Sequence, residues 1–412
     1  MNNKIAKWLR INYGKIVTSI AFYPAIIAIG FLILSVITLE LDFSETGKHI
    51  KSTYKWISLK DASTARSILS TIVGGIISLT VFSFSMVMIL LNQAASQMSN
   101  RMLEGMITNR FQQVVLGIYI GSIVYALSLL SSIRDIDSGI YVPALSIYLL
   151  LLFTVIDIFI FIYFLHYVTD SVKYETIIKR VHKKTLHSLY RICTQKEASV
   201  FKLPETEMNA ISMASSNYFQ GFNETEMAQF ASNHDGIIQF LHPPGIYLLK
   251  GIPLLNFYSN KKLSEEEIGE MLIPVDFYTG QPIEVNPYYG FHQLAEVAIK
   301  ALSPGINDPE TAVLSINALT DLFSYKLHHF VKTCHEDDRG TIRVQSIEWS
   351  FEKLFAECYY PIWNYGKNDR YIQQVMERMM KQLIHRDANG NYAGLFNVLL
   401  NDVKRKSAEN DF

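Results

Sequence analysis

Asp157 is the residue whose surroundings most constrain its chemistry. It stands near the middle of an apolar run, between Leu149 to Leu152 and Ile158 to Phe161. A carboxylate at the centre of hydrocarbon costs about 2.5 to 3.5 kcal/mol on insertion scales, so such a residue marks an ion or proton path or a polar contact inside a helix bundle. Thr154 and the hydroxyls of the apolar run from Ile68 to Leu91 are the partners the sequence offers it. His166 lies nine residues on, half a turn around the same helix, and reads as an interface residue.

A second set is a row of small polar residues. Thr71, Ser78, Ser85, Asn92 and Ser99 recur every seven residues. Each such step drifts only about 20° around an α-helix, so they form one narrow stripe, with Gly74 and Ala95 close beside it. Two chemistries fit. Small and hydroxylated residues let helices approach closely, as in the Gly74 to Ser78 small-xxx-small pair. Alternatively, hydroxyls replace part of a solute's hydration along a wet path. On that second reading Thr71, Ser78, Ser85, Asn92 and Asp157 line the path.

The third set is Asn307-Asp308-Pro309-Glu310-Thr311. Asp308 suits a helix cap, Pro309 the first helical position and Glu310 the positive end of the helix dipole. Local structure therefore accounts for the motif, with an ion or ligand site as the alternative.

Other chemistries leave no trace. The chain carries no phosphate loop, dinucleotide fingerprint, kinase or cyclase signature, nucleophile elbow or HExxH pair, so no catalytic residue, cofactor or metal is assigned and an enzyme is not expected. Cys193, Cys334 and Cys358 have no metal-ligand spacing, and His328, His329, Cys334 and His335 read as a solvated helix end rather than a zinc site. A formal net charge of -1 and the lack of a basic-aromatic patch argue against nucleic acid as a partner.

Four elements must position the first two sets. Ala21 to Leu39, Ile68 to Leu91, Val114 to Leu130 and Val142 to Val168 each approach the roughly 20 apolar residues that span a bilayer. The first is long, ends in Leu39-Glu40-Leu41-Asp42 and lacks a small-residue cleavage pattern, so it stays as an anchor. Nearly all the apolar excess precedes residue 170. The expected architecture is thus an all-α four-helix transmembrane domain over residues 1–170 and an α+β cytoplasmic domain over residues 171–412. Lys4, Lys7, Arg10 and Lys15 before the first span, with Lys173, Lys179, Arg180, Lys183 and Lys184 after the fourth, put both termini in the cytoplasm. Lys48, Lys51, Lys55, Lys60 and Arg66 of the first outer loop dissent, partly offset by Asp42, Glu45 and Asp61.

The third span carries Gly117 and Gly121 as a GxxxG pair, extended by Tyr125 and Ser128, and this is a close-packing face whose partner the sequence does not identify. No proline interrupts Ser67 to Phe111, so the second helix is expected to run on as a stalk that turns near Gly105 and Thr108-Asn109. In the soluble part, Ile237 to Leu241, Ile246 to Leu249 and Ile252 to Phe257 read as one small antiparallel sheet. Ser264 to Glu267 reads as a capping box. Phe291, Leu294, Ala295, Ala298, Ile299 and Leu302 form the apolar face of a helix from Phe291 to about Ser303.

The run from Ala301 through Ser303, Pro304, Gly305, Ile306, Asn307, Asp308 and Pro309, preceded by Phe291-His292-Gln293-Leu294-Ala295-Glu296, resembles the most distinctive motif of the bacterial domain of unknown function family 2254. Ala94-Ala95-Ser96-Gln97, Arg101-Met102-Leu103 and Gln113 to Gly117 are similar to that family's pattern, whereas Asn286 to Gly290 departs from it. The resemblance implies a four-span protein of the bacterial inner membrane with a cytoplasmic domain, and no activity.

The leading expectation is a homo-oligomeric channel or transport protein for an ion or small solute, its soluble domain serving as vestibule or gate. The alternative is a membrane-anchored sensor or scaffold. The stripe separates them, because an anchor does not need five such residues on one face.

Overall fold

The computed structural model describes residues 21–54, 59, 61–97, 110–136, 139–195, 201–204 and 206–409. It divides into two compact units, Met1–Lys173 and Tyr174–Phe412.

The first unit holds four helices long and apolar enough to cross a membrane. They are α1 (Phe22–Phe43), α3 (Ala62–Gln97), α4 (Arg110–Ser132) and α5 (Ala144–Ser171), with a short α2 (Glu45–Thr53) after α1. A small hairpin, β1 (Arg134–Ile136) and β2 (Gly139–Tyr141), joins α4 to α5. The expected stalk beyond Gln97, with Ser99, Gly105 and Thr108-Asn109, lies outside the described residues.

Helix α4 is the centre of this unit and touches α1, α3 and α5. Three inward rows meet there, each with a seven-residue period: Ala62, Leu69, Ile76 and Ser83 on α3; Val115, Ser122 and Leu129 on α4; Leu150, Asp157, Phe164 and Ser171 on α5. A strict heptad row keeps one seam facing its neighbours. The outer faces bear Ile29, Ile33 and Ile37 on α1, Phe82 and Ile89 on α3, and Phe159 and Ile162 on α5, all exposed, as a lipid-facing surface requires.

The partner of the GxxxG face is α1 of the same chain. A Cβ on Gly117 would lie 2.7 Å from Ile27 Cδ1 and 3.1 Å from Pro24 Cα, and one on Gly121 would lie 2.5 Å from the Phe31 ring. Further along the same contact, Ser35 Oγ donates to Ser128 Oγ at 2.9 Å, and Thr38 and Tyr125 share a hydrogen bond of 2.8 Å. Such bonds average about 0.6 kcal/mol each in a membrane bundle, so close packing carries most of the contact.

At the far end of α1, Asp42 is fully buried. Its carboxylate accepts from Ser146 N at 2.8 Å and Ser146 Oγ at 3.0 Å, and pairs with Lys51 at 2.8 Å. The first turn of α5 leaves amides unpaired and Pro143 at its N-cap supplies no side-chain acceptor, so Asp42 provides the cap from a distant part of the chain. Lys48 pairs with Glu45 at 3.0 Å. Two of the lysines that opposed the charge rule are therefore locally neutralised.

The second unit mixes sheet and helix. It opens with α6 (Tyr174–Ile192), followed by β3 (Cys193–Thr194), which pairs with β10 (Phe330–Val331). A five-stranded sheet has the order β11-β12-β6-β8-β4, built from β4 (Met208–Ser212), β6 (Ile237–Phe240), β8 (Pro253–Tyr258), β11 (Cys334–Glu336) and β12 (Ile342–Gln345). Only β12 and β6 in it are parallel.

Ile246 to Leu248 does not join this sheet, contrary to the single antiparallel sheet expected. As β7 it pairs with β5 (Asn217–Phe222), in a three-stranded sheet completed by β9 (Val275–Phe277). The cause is the His242-Pro243-Pro244-Gly245 link. Two prolines cannot donate to a ladder, and Gly245, at φ +95°, turns the chain so that its amide bonds Phe219 O at 2.7 Å.

Helices α7 (Glu224–Asn233) and α8 (Glu265–Met271) cover the sheets, and Ser264 and Glu267 form the expected capping box on α8. Phe219, Phe240, Phe257, Met227 and Met271 fill that core. A helical layer follows: α9 (Tyr288–Ala301), α10 (Pro309–Lys326), α11 (Phe351–Gly366), α12 (Arg370–Arg386) and α13 (Ala393–Glu409). Helix α9 starts three residues before Phe291 because the Asn286 side chain caps Tyr288 N at 3.0 Å. Gly290 lets it lie directly against Thr185 of α6.

Candidate functional site

Helix α3 has two unlike faces. The heptad row from Ala62 to Ser83 is buried, whereas Thr71, Ser78, Ser85 and Asn92 are all exposed on the single chain. A Cβ placed on Gly74 or Gly75 would meet nothing within 4 Å. Thr71 Oγ1 donates to Ser67 O at 2.8 Å and Ser78 Oγ to Gly74 O at 2.9 Å, so these hydroxyls are satisfied within their own helix. The face is thus small and mildly polar, and among the described residues no helix of this unit packs over it.

Asp157 sits elsewhere. It belongs to the buried row of α5, with Ser122 of α4 as its hydroxyl neighbour and Tyr119 of α4 close by. Tyr119 in turn faces Ser83 of α3. Thr154 gives its hydroxyl to Leu150 O at 2.8 Å rather than to Asp157, and His166 is exposed. Among the described residues, Ser83 Oγ, Gln113 Oε1, Tyr119 OH, Ser122 Oγ and both Asp157 oxygens are buried without a hydrogen-bond partner. A cavity of about 120 Å³, lined mainly by apolar groups such as Val87, Leu91 and Phe164, reaches Ser83, Gln113 and Tyr119.

The sequence singled out Asp157 but not Ser83, Tyr119 or Ser122, and Gln113 only as part of the family pattern. A signal was present. Ser83 is the polar member of an otherwise apolar row at 62, 69 and 76, and Ser122 interrupts the row of 115 and 129.

In the second unit the Ser303 to Pro309 motif closes the turn between α9 and α10. Asp308 caps α10, accepting from Thr311 N at 3.2 Å and Thr311 Oγ1 at 2.6 Å, with Pro309 in the first turn. Ser303 Oγ donates to Lys300 O at 2.6 Å, its carbonyl accepts from Ile306 N and Asn307 N, and Asp308 N donates to Ala301 O at 2.8 Å. Asn307 holds φ at +49°, a conformation asparagine tolerates better than most residues. Pro304 is exposed.

A buried charge cluster lies at the other ends of the same two helices. Lys326, the last residue of α10, pairs with Glu348 and approaches Tyr288 OH at 3.3 Å; Tyr288 OH donates to Glu348 Oε1 at 2.5 Å. Burial, and then the Glu348 charge, push the Tyr288 phenol well above its usual range. Cys193 is pushed up to about 11, chiefly by burial, with Lys326 opposing. A thiol so held is protonated at neutral pH and a poor nucleophile. The groups satisfy one another and tie α9, α10 and the β12–α11 link together. Of the His/Cys group, His335 lies on β11 with Nδ1 2.8 Å from Glu224, and His329 stacks on Tyr325.

Comparison with known proteins places this arrangement. The family model described as "Predicted membrane protein (DUF2254)" matches residues 17–383. An uncharacterized protein of Mycobacterium tuberculosis (strain CDC 1551 / Oshkosh) is 26% identical over 267 residues, 62% of this chain and 51% of the relative. An uncharacterized protein of Mycobacterium bovis is 25% identical over the same length and shares. The chain spans about half the length of the curated relatives it matches. No solved structure matches.

Proposed function

Because the chain belongs to the DUF2254 family of predicted membrane proteins, with four candidate spans, we propose that it is a homo-oligomeric channel or transport protein of the bacterial inner membrane. Several copies pack around an axis, with the Thr71, Ser78, Ser85 and Asn92 face of α3 turned toward an ion or small solute. The soluble unit gates this path and performs no catalysis. The observation that carries the reading is the exposure of that face: a helix serving only as an anchor would bury its small polar residues against its own neighbours, yet α3 buries the opposite side. Four spans rarely enclose a conduit alone, and symmetric closure supplies one.

Reconstituted protein should accordingly pass ions or small neutral solutes. Ser85→Trp, which fills the path without touching the packed face, should cut that flux at least tenfold while leaving oligomer size unchanged. Purified protein that is monomeric and passes neither cations, anions nor neutral solutes would favour the second reading, an anchored sensor or scaffold.

The same reading keeps both termini in the cytoplasm, supported by the basic clusters flanking the first and fourth spans. Single cysteines at Ser52 and His187, both exposed, probed in intact cells with a membrane-impermeant thiol reagent, should label at Ser52 alone. Labelling confined to position 187 reverses the orientation.

A further inference from the structure

We infer that the buried cluster of Ser83, Tyr119, Ser122 and Asp157 binds a dehydrated monovalent cation of the alkali class. Each α3, α4 and α5 inward row places an oxygen here; Ser122 faces Asp157 and Ser83 faces Tyr119, yet none of these oxygens closes a hydrogen bond of ordinary length among the described residues. One or two orphans would be ordinary; both carboxylate oxygens and three hydroxyls together are not, because each buried polar group left unpaired is costly. No cationic side chain among the described residues pairs with Asp157. A cation taken from solution would balance the carboxylate.

The donor set selects the ligand. Carboxylate and hydroxyl oxygens are hard donors suited to hard cations, and the group contains neither a thiolate nor an imidazole. A single carboxylate balances one positive charge, so a monovalent ion gives a neutral complex in the low-dielectric interior, whereas a divalent ion would remain half-neutralised. Hydroxyls can replace the water shell that such an ion must shed. The cavity of about 120 Å³ offers an approach, since Ser83 and Tyr119 line both it and the cluster, and Gln113 presents a further unpaired oxygen on its wall. The site does not depend on the outer face of α3 and needs no conducting path.

The test is binding of radiolabelled Na⁺, with K⁺ as competitor, to the full chain in detergent. Saturable binding of about one ion per chain is expected. Asp157→Asn should abolish it. Tyr119→Phe and Ser122→Ala should each weaken it roughly tenfold, the effect of removing one oxygen from a charged centre. Saturating Na⁺ relative to choline should also raise the melting midpoint of the wild type by several degrees and leave that of Asp157→Asn unmoved. Absence of saturable binding of either ion to the wild type overturns the site, as does a melting midpoint that follows pH alone, because a proton then answers the carboxylate. If Asp157→Asn does not fold, Tyr119→Phe decides, since it keeps the ring: wild-type affinity in that variant overturns the assignment. Because binding is read on isolated protein, a failure of flux leaves this inference standing and a failure of binding leaves the flux experiment untouched.

Discussion

Lys326→Ala should destabilise the α+β unit by about 3 to 5 kcal/mol, the range for removing one partner of a buried ion pair. Lys326 is buried, and its removal leaves the Glu348 carboxylate, with 19% of its side chain exposed, facing only the Tyr288 hydroxyl. The loss should appear as a lower denaturant midpoint and, at growth temperature, as reduced yield. The mechanism is separable from simple loss of volume. Replacing both charges, Lys326→Met with Glu348→Gln, should recover most of the loss, because no uncompensated charge remains and Tyr288 keeps an acceptor. A single variant within about 1 kcal/mol of wild type, or a double variant worse than the single one, would show that the charge cluster is not what holds α9 to α10.

Gly121→Leu should damage the membrane unit by about 3 kcal/mol, the upper end for overpacking, or more. Even a methyl there would stand 2.5 Å from the Phe31 ring, and leucine adds three further carbons. The expected result is a melting midpoint in detergent lowered by many degrees. Phe31→Ala in the same chain should restore part of it, since the obstacle is a side chain. Gly117→Ala should be less forgiving for its size, because its new Cβ would meet Pro24 Cα, and backbone cannot swing aside. Gly75 provides the contrast. Nothing lies within 4 Å of a Cβ there, so Gly75→Leu should leave the monomer's stability unchanged and, if copies meet through this face, reduce assembly alone. Equal melting of Gly121→Leu and wild type would remove the close contact of α1 and α4.

How much of this could be read beforehand follows from how local each feature is. The spans were legible because hydropathy over some 20 residues is a property of one segment, and the described helices match all four, differing mainly at the ends of α3. The Asp308 cap was legible for the same reason: cap, proline and dipole partner are consecutive residues. Gly117 and Gly121 announced a close contact but not its partner, because any helix could fill the groove. The sheet that Ile246–Leu248 joins is not legible locally, since its pairing with β5 depends on a turn geometry and on residues about thirty positions away. Asp157 drew notice by its cost, yet its neighbours Ser122 and Tyr119 come from a second helix and Ser83, which faces Tyr119, from a third, so their meeting depends on the rotation of three helices. Lys326 could have been noticed as the charged residue on a buried face, three residues after Phe323 and seven after Leu319.

The cap that Asp42 gives to α5 bears on the order in which the membrane unit is completed. Its two halves are 104 residues apart, one at the end of the first span and the other at the start of the last. During synthesis the carboxylate and Lys51 are in place long before Ser146 emerges, so the bundle can close into a ring only when its final helix has entered. Once made, this bond pins the termini of two helices that also meet along their length, where the Phe31 and Phe153 rings lie edge to face at 5.4 Å. Tilting of α1 against α5 is therefore held at two levels, an ionic one at the helix ends and an aromatic one near their middle.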